Sequence, residues 1–347
     1  MINHNSKIYI AGHNGMVGSA INRLLVKKGF TNIITKTSKQ LDLRNQQSVN
    51  QFFESEKPII VIDAAAKVGG ILANNNYPYQ FLMDNMLIQN NLIHAAHENE
   101  TEKFIFLGSS CIYPKLAPQP LKEGYLLTSS LEPTNEWYAI AKITGVKLCQ
   151  AIRKQFNKDF VSLMPTNLYG PYDNFDLETS HVLPAMIRKF HDAKQSGNKH
   201  LENSEPVESS EPVESSEPVE SSEPVESSEP VELWGSGSPM REFLHVDDMA
   251  KAVLFAVENI LPEYLYNVGS GKDLTIKQLA ETIQHIVGHK GEIIWDTSKP
   301  DGTPRKLMDN SKIEKLGWKA EITLEDGIKQ TYQWFIENKD KVKEVKM

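Results

Sequence analysis

A glycine-rich segment near the N-terminus constrains the fold of this 347-residue chain more than any other feature. Residues 7–11 form a short run of mostly β-branched and aromatic side chains, and Gly12, Gly15 and Gly18 follow it at the start of a helical pattern that extends to Lys28. In such a strand–turn–helix unit the first glycine permits the tight turn, the second lets the backbone approach a pyrophosphate, and the third lets the helix pack on the strand. The segment therefore predicts a dinucleotide-binding site, with a glycine turn without ligand as the alternative.

Strands and helices continue to alternate along the N-terminal half. Apolar runs at residues 32–36, 59–66, 103–108 and 160–164 are separated by helical patterns, which is typical of a parallel sheet with helices on both faces. We predict an α/β fold with a Rossmann doubly wound parallel sheet over residues 1–170. The alternation is less regular afterwards, so we predict a smaller C-terminal α/β substrate domain formed by residues 171–200 and 233–335, with residues 241–260 returning to the first domain.

An acidic repeat interrupts the C-terminal half. Residues 204–232 contain four copies and a partial fifth of the hexapeptide Ser-Glu-Pro-Val-Glu-Ser. Proline at every sixth position excludes a regular helix or a central strand, and a segment this acidic cannot bury enough apolar surface to fold. We therefore predict a disordered insertion. Its ten glutamates exceed the net charge of −8, so the rest of the chain is close to neutral and does not indicate a nucleic-acid partner.

Composition also indicates where the protein works. No apolar run approaches the roughly 20 residues that a membrane helix needs, and the N-terminus lacks the pattern of a signal peptide. Cys111 and Cys149 are the only cysteines, so a disulfide framework is not expected. We predict a cytoplasmic protein without a membrane partner or a metal site.

The second strand suggests which dinucleotide binds. Sites that prefer NAD place an acidic residue near the end of this strand to hold the ribose hydroxyls, whereas this chain has Lys36 and Lys39 there. Two lysines suit a 2′-phosphate and favour NADP, although both could simply be surface residues. Asp42 follows them and could either cap the next helix or contact the adenine edge.

Tyr138 and Lys142 form the strongest candidate catalytic pair. They lie four residues apart, so on a helix they share one face. An ammonium near a phenol favours the phenolate and lowers the tyrosine pKa, and such a tyrosine can donate a proton to a carbonyl oxygen. The fourth strand ends at Ser109, Ser110 and Cys111, where parallel sheets bind ligands. Ser109 could hydrogen-bond a substrate carbonyl.

Two further residues have both a structural and a catalytic interpretation. Cys111 could be an inert small apolar residue or, as a thiolate near a lysine, a base. His181 opens a helical pattern, and a histidine in that position is more often a surface residue than a catalyst.

Arg241 follows the repeat and offers a planar fork suited to a diphosphate.

The glycine loop, Ser109 and the Tyr138–Lys142 pair together resemble the extended short-chain dehydrogenase/reductase family. Longer strings narrow the resemblance to members that act on GDP-4-keto-6-deoxy-D-mannose; they lie at residues 15–20, 66–73, 107–114, 164–171, 181–185, 234–250 and 299–306. The resemblance implies 3,5-epimerisation followed by 4-keto reduction with NADPH. It also implies homodimers that pair through helices of the Rossmann domain.

The resemblance implies a role for each matching residue. Tyr138 would protonate the C4 oxygen, Lys142 would hold the nicotinamide ribose and lower the tyrosine pKa, and Ser109 would bind the C4 oxygen. Cys111 and His181 match the base and acid that invert C3 and C5. The expected GDP-sugar contacts are Lys189, Trp234, Arg241 and Asp301. With the lysines and Asp42 above, the expected NADP-binding residues are Gly12, His13, Asn14, Gly15, Met16, Val17, Gly18, Lys36, Lys39, Asp42, Leu107, Gly108, Ser109, Ser110, Lys142, Pro165, Thr166, Asn167, Leu168 and His181.

Two features depart from the family pattern, and other functions remain open at this level. Asn14 stands where the family commonly has an arginine that suits the 2′-phosphate, and the acidic repeat has no counterpart. An NAD-retaining 4-epimerase or a simple 4-ketoreductase would keep Tyr138 and Lys142 but would not need both Cys111 and His181. A non-catalytic dinucleotide-binding scaffold typically loses the tyrosine or the lysine, and both are present here.

Overall fold

The computed structural model of the protein describes residues 2–177, 179–202, 228–299 and 301–339. The strands are β1 Ile8–Ala11, β2 Ile33–Thr35, β3 Ile60–Asp63, β4 Lys103–Leu107, β5 Asp159–Pro165, β6 Asn167–Tyr169, β7 Val231–Trp234, β8 Met240–His245, β9 Leu265–Val268, β10 Asp273–Thr275, β11 Ile293–Asp296 and β12 Arg305–Lys306. The helices are α1 Met16–Lys27, α2 Gln46–Glu56, α3 Ile71–Asn76, α4 Pro78–Glu98, α5 Glu136–Phe156, α6 Val182–Glu202, α7 Val246–Glu258, α8 Ile276–Val287, α9 Ser311–Lys315 and α10 Leu324–Asn338.

A six-stranded parallel sheet forms the first unit of the fold. Its strand order is β2-β1-β3-β4-β5-β9, so the chain leaves β1 in one direction for β2 and returns to the other side for β3. The carboxyl ends of β1 and β3 therefore border the crevice where open α/β sheets bind ligands. This topology confirms the predicted Rossmann sheet.

Strand residues are buried on both faces of this sheet because helices cover both. All four residues of β1 and all four of β3 are buried. Alternate side chains enter two different cores, since successive residues of a strand point to opposite faces. Helices α1, α7 and α9 supply one core, and α2, α4 and α5 supply the other. Helix α5 thus brings Tyr138 and Lys142 against the second face of the sheet.

A second unit packs beside the carboxyl edge of the sheet. β8 pairs with β10, β12 and β6, and β7 pairs with β11. Helices α6, α8 and α10 cover these strands around a third core, which includes Phe175, Phe190 and Ile283. The predicted C-terminal α/β unit is therefore present, and it carries the residues expected to contact the GDP-sugar.

The chain divides between the two units differently from the predicted boundaries. β9, placed by prediction in the substrate domain, is the sixth strand of the Rossmann sheet and pairs with β5. Ile313 and Trp318 belong to the same core as α1 and α7. The returning segment is therefore longer than residues 241–260, because the crossover through α7 delivers another strand to the open edge beside β5.

Most of the acidic repeat lies outside the described residues. The prediction that it is disordered concerns those residues and stays a prediction. The last residues of the repeat are described, and there the structure differs from the predicted insertion up to residue 232. Val231 and Glu232 belong to β7 and pair with Ile293 and Ile294 of β11. The alternation of buried Val231 and Leu233 with exposed Glu232 and Trp234 matches a strand with one face on a core. Within the described residues, no helix combines the length and apolarity needed to cross a membrane.

Candidate active site

The glycine loop has the geometry that its sequence predicts. Gly12 has a φ of +80°, and a Cβ on it would lie 2.6 Å from the carbonyl oxygen of Ala64. A Cβ on Gly18 would overlap the carbonyl oxygen of Gly12, so α1 can approach this turn only with glycine there. Gly15 is the N-cap of α1, and no side chain caps that helix end. The first turn of α1, with Met16 and Val17, thus leaves its amide groups for a phosphate, and the site fits a dinucleotide.

The structure brings Lys36 to the carboxyl end of β2, beside the glycine loop that follows β1, and Lys39 lies on the exposed turn after it. Asp42 is not a helix cap, since Asn45 caps α2 through its side chain. Both oxygens of Asp42 instead accept hydrogen bonds from Arg44, at 3.0 and 2.9 Å. This pairing lowers the pKa of Asp42.

Two segments line the carboxyl edge of the sheet opposite the glycine loop. Leu107 ends β4 and Gly108 follows it, and a Cβ on Gly108 would overlap the side chain of Met164. Thr166 connects Pro165, the last residue of β5, to Asn167 and Leu168 of β6. There Thr166 and Asn167 donate from their side chains to the carbonyl oxygen of Glu242, at 3.2 and 2.8 Å. These contacts join the edge of the Rossmann sheet to β8 of the second unit.

Tyr138 and Lys142 lie on the first turns of α5, as predicted from their spacing. The buried Nζ of Lys142 donates to the carbonyl oxygen of Leu107 at 2.8 Å and lies 5.9 Å from the centroid of the Tyr138 ring. It also lies 4.6 Å from the centroid of the Phe106 ring. β4 and α5 together therefore hold the ammonium next to the phenol.

The sequence predicts that Lys142 lowers the pKa of Tyr138, but burial has the larger effect on that pKa and raises it. Burial raises the pKa of Tyr138 well above its ordinary value, and the negative charges of Cys111 and Asp63 would raise it further. Burial also lowers the pKa of Lys142, against the opposing influence of Asp63 and Cys111. The prediction treated the two groups as an isolated pair in water, whereas the packed core disfavours the charged form of both. Tyr138 is thus a protonated donor in this structure.

Ser109, Ser110 and Cys111 follow β4, as predicted. Residues Ser110–Ile112 form a short 3-10 helix capped by Ser109, whose Oγ accepts a hydrogen bond from the Cys111 backbone N–H at 3.4 Å. Cys111 is buried, and burial raises the pKa of its thiol; the strongest opposing influence is the positive charge of Lys306. The turn that carries Cys111 packs against α5, and the negative charge of its thiolate would raise the pKa of Tyr138.

His181 directly precedes α6 and retains contact with solvent, as the surface interpretation predicts. Protein atoms around the imidazole displace water from it, and this desolvation lowers the pKa of His181. The positive charge of Lys306 lowers that pKa further. Lys306 therefore acts on both His181 and Cys111. Cys111 and Lys306 line one pocket, and the segment that ends at His181 is joined to the loop after β3 by the hydrogen bond from the Gly70 N–H to the Thr179 carbonyl.

Three of the four expected GDP-sugar contacts gather around β7. The side chain of Trp234 is 60% exposed, with Lys299 Nζ 5.4 Å from its ring centroid. Lys189 of α6 donates to the carbonyl oxygen of Glu232 at 2.9 Å. Asp301 accepts from the backbone N–H and Oγ of Ser236, at 3.0 and 2.7 Å, which lowers its pKa. An exposed indole with charged groups at its rim suits a nucleobase.

Lys306 is the functional candidate that sequence analysis missed. It is the register partner of Arg241, the fourth expected contact, on the parallel strands β12 and β8, so both cations project from the same face. Lys306 lines a pocket together with Cys111, and burial lowers its pKa. The sequence shows a basic Arg305-Lys306 pair after a proline, but only strand pairing places it beside Arg241. Two adjacent cations suit a diphosphate.

No group of three or more potential metal-binding side chains occurs in the residues that the structure describes. Cys111 and Cys149 are both buried and free, consistent with the expectation of no disulfide framework.

Comparison with known proteins identifies the family of this chain. Residues 8–208 and 218–269 match the model of the NAD dependent epimerase/dehydratase family. Residues 201–233, which contain the acidic repeat, also match the model of a Schizosaccharomyces pombe repeat of unknown function.

Individual relatives match over almost their whole length. The chain is 53% identical to putative GDP-L-fucose synthase 2 of Arabidopsis thaliana, with 97% of this chain and 94% of that protein covered. It is 49% identical to the GDP-L-fucose synthase of Escherichia coli, with 96% and 98% covered. Among solved structures, a GDP-mannoheptose C4 reductase from Campylobacter jejuni with NADP bound has a TM-score of 0.82 at 38% identity, with 97% of this chain and 100% of that chain covered.

Proposed function

This chain belongs to the NAD dependent epimerase/dehydratase family and, within it, groups with the GDP-L-fucose synthases; from that premise we propose that it converts GDP-4-keto-6-deoxy-D-mannose to GDP-L-fucose with NADPH. The reaction inverts C3 and C5 and then reduces the C4 ketone. One observation carries the proposal. Cys111 and Lys306 line one pocket, and the turn that carries Cys111 packs against α5, the helix that carries Tyr138 and Lys142.

In the reduction, Tyr138 gives its phenolic proton to the C4 oxygen. The glycine loop would hold NADPH, which when bound would supply the hydride for the C4 carbon. The protonated state of Tyr138 that burial favours is the state this donor needs. Lys142, fixed by the carbonyl of Leu107, stabilises the phenolate left after the transfer and offers its remaining protons to the nicotinamide ribose. Ser109 donates to the same C4 oxygen and orients the ketone.

In the epimerisation, the C4 ketone acidifies the protons on C3 and C5. The Cys111 thiolate removes one of these protons, the electron pair enters the carbonyl as an enolate, and the His181 imidazolium returns a proton to the opposite face. In the free protein, burial favours the thiol of Cys111. Partial desolvation and the charge of Lys306 lower the pKa of His181 and favour its neutral imidazole. Formation of the active pair therefore requires a proton to move from the thiol to the imidazole. The charge of Lys306 favours the thiolate and disfavours the imidazolium.

The diphosphate of the substrate lies, in this proposal, against Arg241 and Lys306. Trp234 stacks on the guanine, and Lys189 and Asp301 contact the nucleotide from either side of β7. Burial lowers the pKa of Arg241, but a guanidinium stays charged at any working pH. The two neighbouring cations are therefore available to neutralise a diphosphate.

We also propose that the protein is a cytoplasmic homodimer that pairs through α4 and α5. Tyr79, Met83 and Leu87 recur every four residues along α4 and are 66%, 40% and 37% exposed. They form a stripe on the outer side of that helix, and the exposed Trp137 lies at the start of the neighbouring α5. An apolar stripe on two adjacent helices suits a symmetric four-helix contact.

The test is turnover of GDP-4-keto-6-deoxymannose with NADPH in deuterated water, with products analysed by mass spectrometry and NMR. We expect GDP-fucose that carries deuterium at C3 and C5. Reduction without deuterium at those carbons would instead identify a plain 4-ketoreductase. The variants Y138F and C111S should separate the steps, because loss of a general acid or base costs about 10²–10⁴-fold. Y138F should slow reduction but retain exchange, and C111S should lose exchange.

A further inference from the structure

Asp63 is a buried ionisable residue that the proposed mechanism does not use. It is the last residue of β3, its side chain is fully buried, and its Oδ1 accepts a hydrogen bond from the Ala65 backbone N–H at 3.1 Å. Its Oδ2 has no hydrogen-bond partner in the described part of the chain. A buried carboxylate without compensation is strongly unfavourable, so a nearby positive charge is required.

Strand register places this carboxylate on the face of the sheet that Lys142 covers. Asp63 is the partner of Phe106 across the parallel pair of β3 and β4, so the two side chains project from the same face of the sheet. The Nζ of Lys142 lies over the Phe106 ring and is bonded to the carbonyl of Leu107, the next residue of β4. The ammonium therefore occupies the layer directly above the β4 residues that adjoin Asp63.

The other titratable groups around Asp63 carry no compensating charge. Tyr9 from β1 and Tyr138 and Cys149 from α5 all have pKa values raised by burial, with a further contribution from Asp63, and so stay neutral. Burial raises the pKa of Asp63 to about 6, and Lys142 is the cation that opposes this rise. Burial lowers the pKa of Lys142, and the negative charge of the Asp63 carboxylate raises it.

We propose that Asp63 is a positioning residue for catalysis, the buried counter-ion that keeps Lys142 charged and seated between Leu107 and Tyr138. Asp63 acts through Lys142 and touches neither substrate nor cofactor. The charge pairing is argued from the register of Asp63 with Phe106 and from the position of Lys142 over that ring, and only its consequence for turnover rests on the proposed function. Below the pKa of Asp63 the carboxyl takes up a proton, and Lys142 then loses the charge that offsets its burial.

The direct test is the protonation of Lys142 in D63N, followed by NMR on isotope-labelled lysine side chains and assigned with K142M. Removing an adjacent opposite charge should lower the Lys142 pKa by at least about 1 unit, which is a tenfold change in its proton affinity. D84N is the matched control, because Asp84 pairs with Lys67 and Arg44 and should leave Lys142 unchanged. An unshifted Lys142 in D63N would overturn the proposal. If D63N does not fold, D63A is measured against the same criterion.

The consequence for activity is tested separately. In D63N the alkaline limb of the pH profile for ketone reduction should move to lower pH by the same amount as the Lys142 titration, while a merely structural effect would lower the rate equally at every pH. An unmoved limb beside a shifted Lys142 would overturn the positioning role. Absence of turnover in every variant, including wild type, would instead contradict the proposed function and leave the NMR result to decide the charge pairing.

Discussion

At the scale of single residues, the active site is governed by burial. Burial raises the pKa values of Tyr138 and Cys111, and desolvation with the charge of Lys306 lowers that of His181, so the neutral form of each group is favoured in the free protein. That state suits Tyr138, which donates a proton. The neutral state does not suit Cys111, because a cysteine base must first lose its thiol proton. The charge of Lys306 is the strongest influence that favours the thiolate. The chemistry of the cysteine therefore depends on a lysine almost 200 positions away in the chain.

This dependence gives a prediction for the thiol. In a C149A background, thiolate absorbance and alkylation of Cys111 should rise with pH around a midpoint above the ordinary thiol value of about 8.5, because its folded pKa is raised. K306M should move the midpoint higher by about 1 unit, since a nearby cation is lost. K115M is the control: Lys115 lines the same pocket but pairs with Glu132 at 3.0 Å. Equal midpoints in K306M and K115M would refute the role of Lys306.

At the scale of elements, the segment before α6 is held in place by the loop after β3. The backbone N–H of Gly70 donates to the carbonyl of Thr179 at 3.1 Å, and a Cβ on Gly70 would lie 2.9 Å from the carbonyl oxygen of Ser180. His181 is the next residue. The position of the proposed acid is thus set by a close backbone contact that only glycine at position 70 permits.

We predict that G70A impairs epimerisation selectively. The added methyl group must displace the Ser180 carbonyl, and His181 moves with it. A displacement near 1 Å can cost about 100-fold in rate. Deuterium exchange into the substrate without NADPH should therefore fall at least about tenfold, whereas NADPH affinity, measured by fluorescence titration, should stay within about twofold. G124A is the control, because a Cβ there meets nothing within 4 Å. Normal exchange in G70A would show that this contact does not position His181.

At the scale of the whole molecule, the reaction requires two units that meet at one edge of the sheet. The Rossmann unit supplies the glycine loop, Tyr138 and Cys111, and the second unit supplies Arg241 and Lys306 from neighbouring strands. Glu242, fully buried, accepts hydrogen bonds from the backbone N–H groups of Gly271 and Met308, at 2.6 and 2.8 Å. It thereby links β8 to the segments after β9 and β12, which stabilises the site between the units.

The proposed dimer gives a prediction at this scale. M83E places a charge in the middle of the α4 stripe, and burying an unpaired carboxylate would cost several kcal/mol. We expect sedimentation to show a monomer for M83E at concentrations where wild type is a dimer. I260E is the control, since Ile260 is 81% exposed and lies outside α4 and α5. A dimeric M83E would exclude this surface as the interface.

The acidic repeat gives another prediction. Replacing residues 204–227 with a short Gly-Ser linker should leave the melting temperature and turnover nearly unchanged, because flexible connections of different length differ little in closure entropy. The replacement stops before Ser228, whose Oγ accepts from the Lys290 backbone N–H at 3.2 Å. A linker as long as the repeat is the control that separates length from composition. A large loss of stability or activity with both linkers would show that the acidic sequence itself is needed.

The sequence by itself determined the local units. The glycine spacing, the period of the apolar residues and the four-residue interval between Tyr138 and Lys142 depend on neighbours along the chain, so the Rossmann sheet and the placement of its motifs could be predicted. The tertiary structure alone decided the return of β9 to the first sheet, the pairing of Lys306 with Arg241 and the position of Asp63 on the sheet face that Lys142 covers. It also decided the protonation of Tyr138. These features depend on desolvation and on contacts between residues far apart in sequence, and neither is encoded in local spacing.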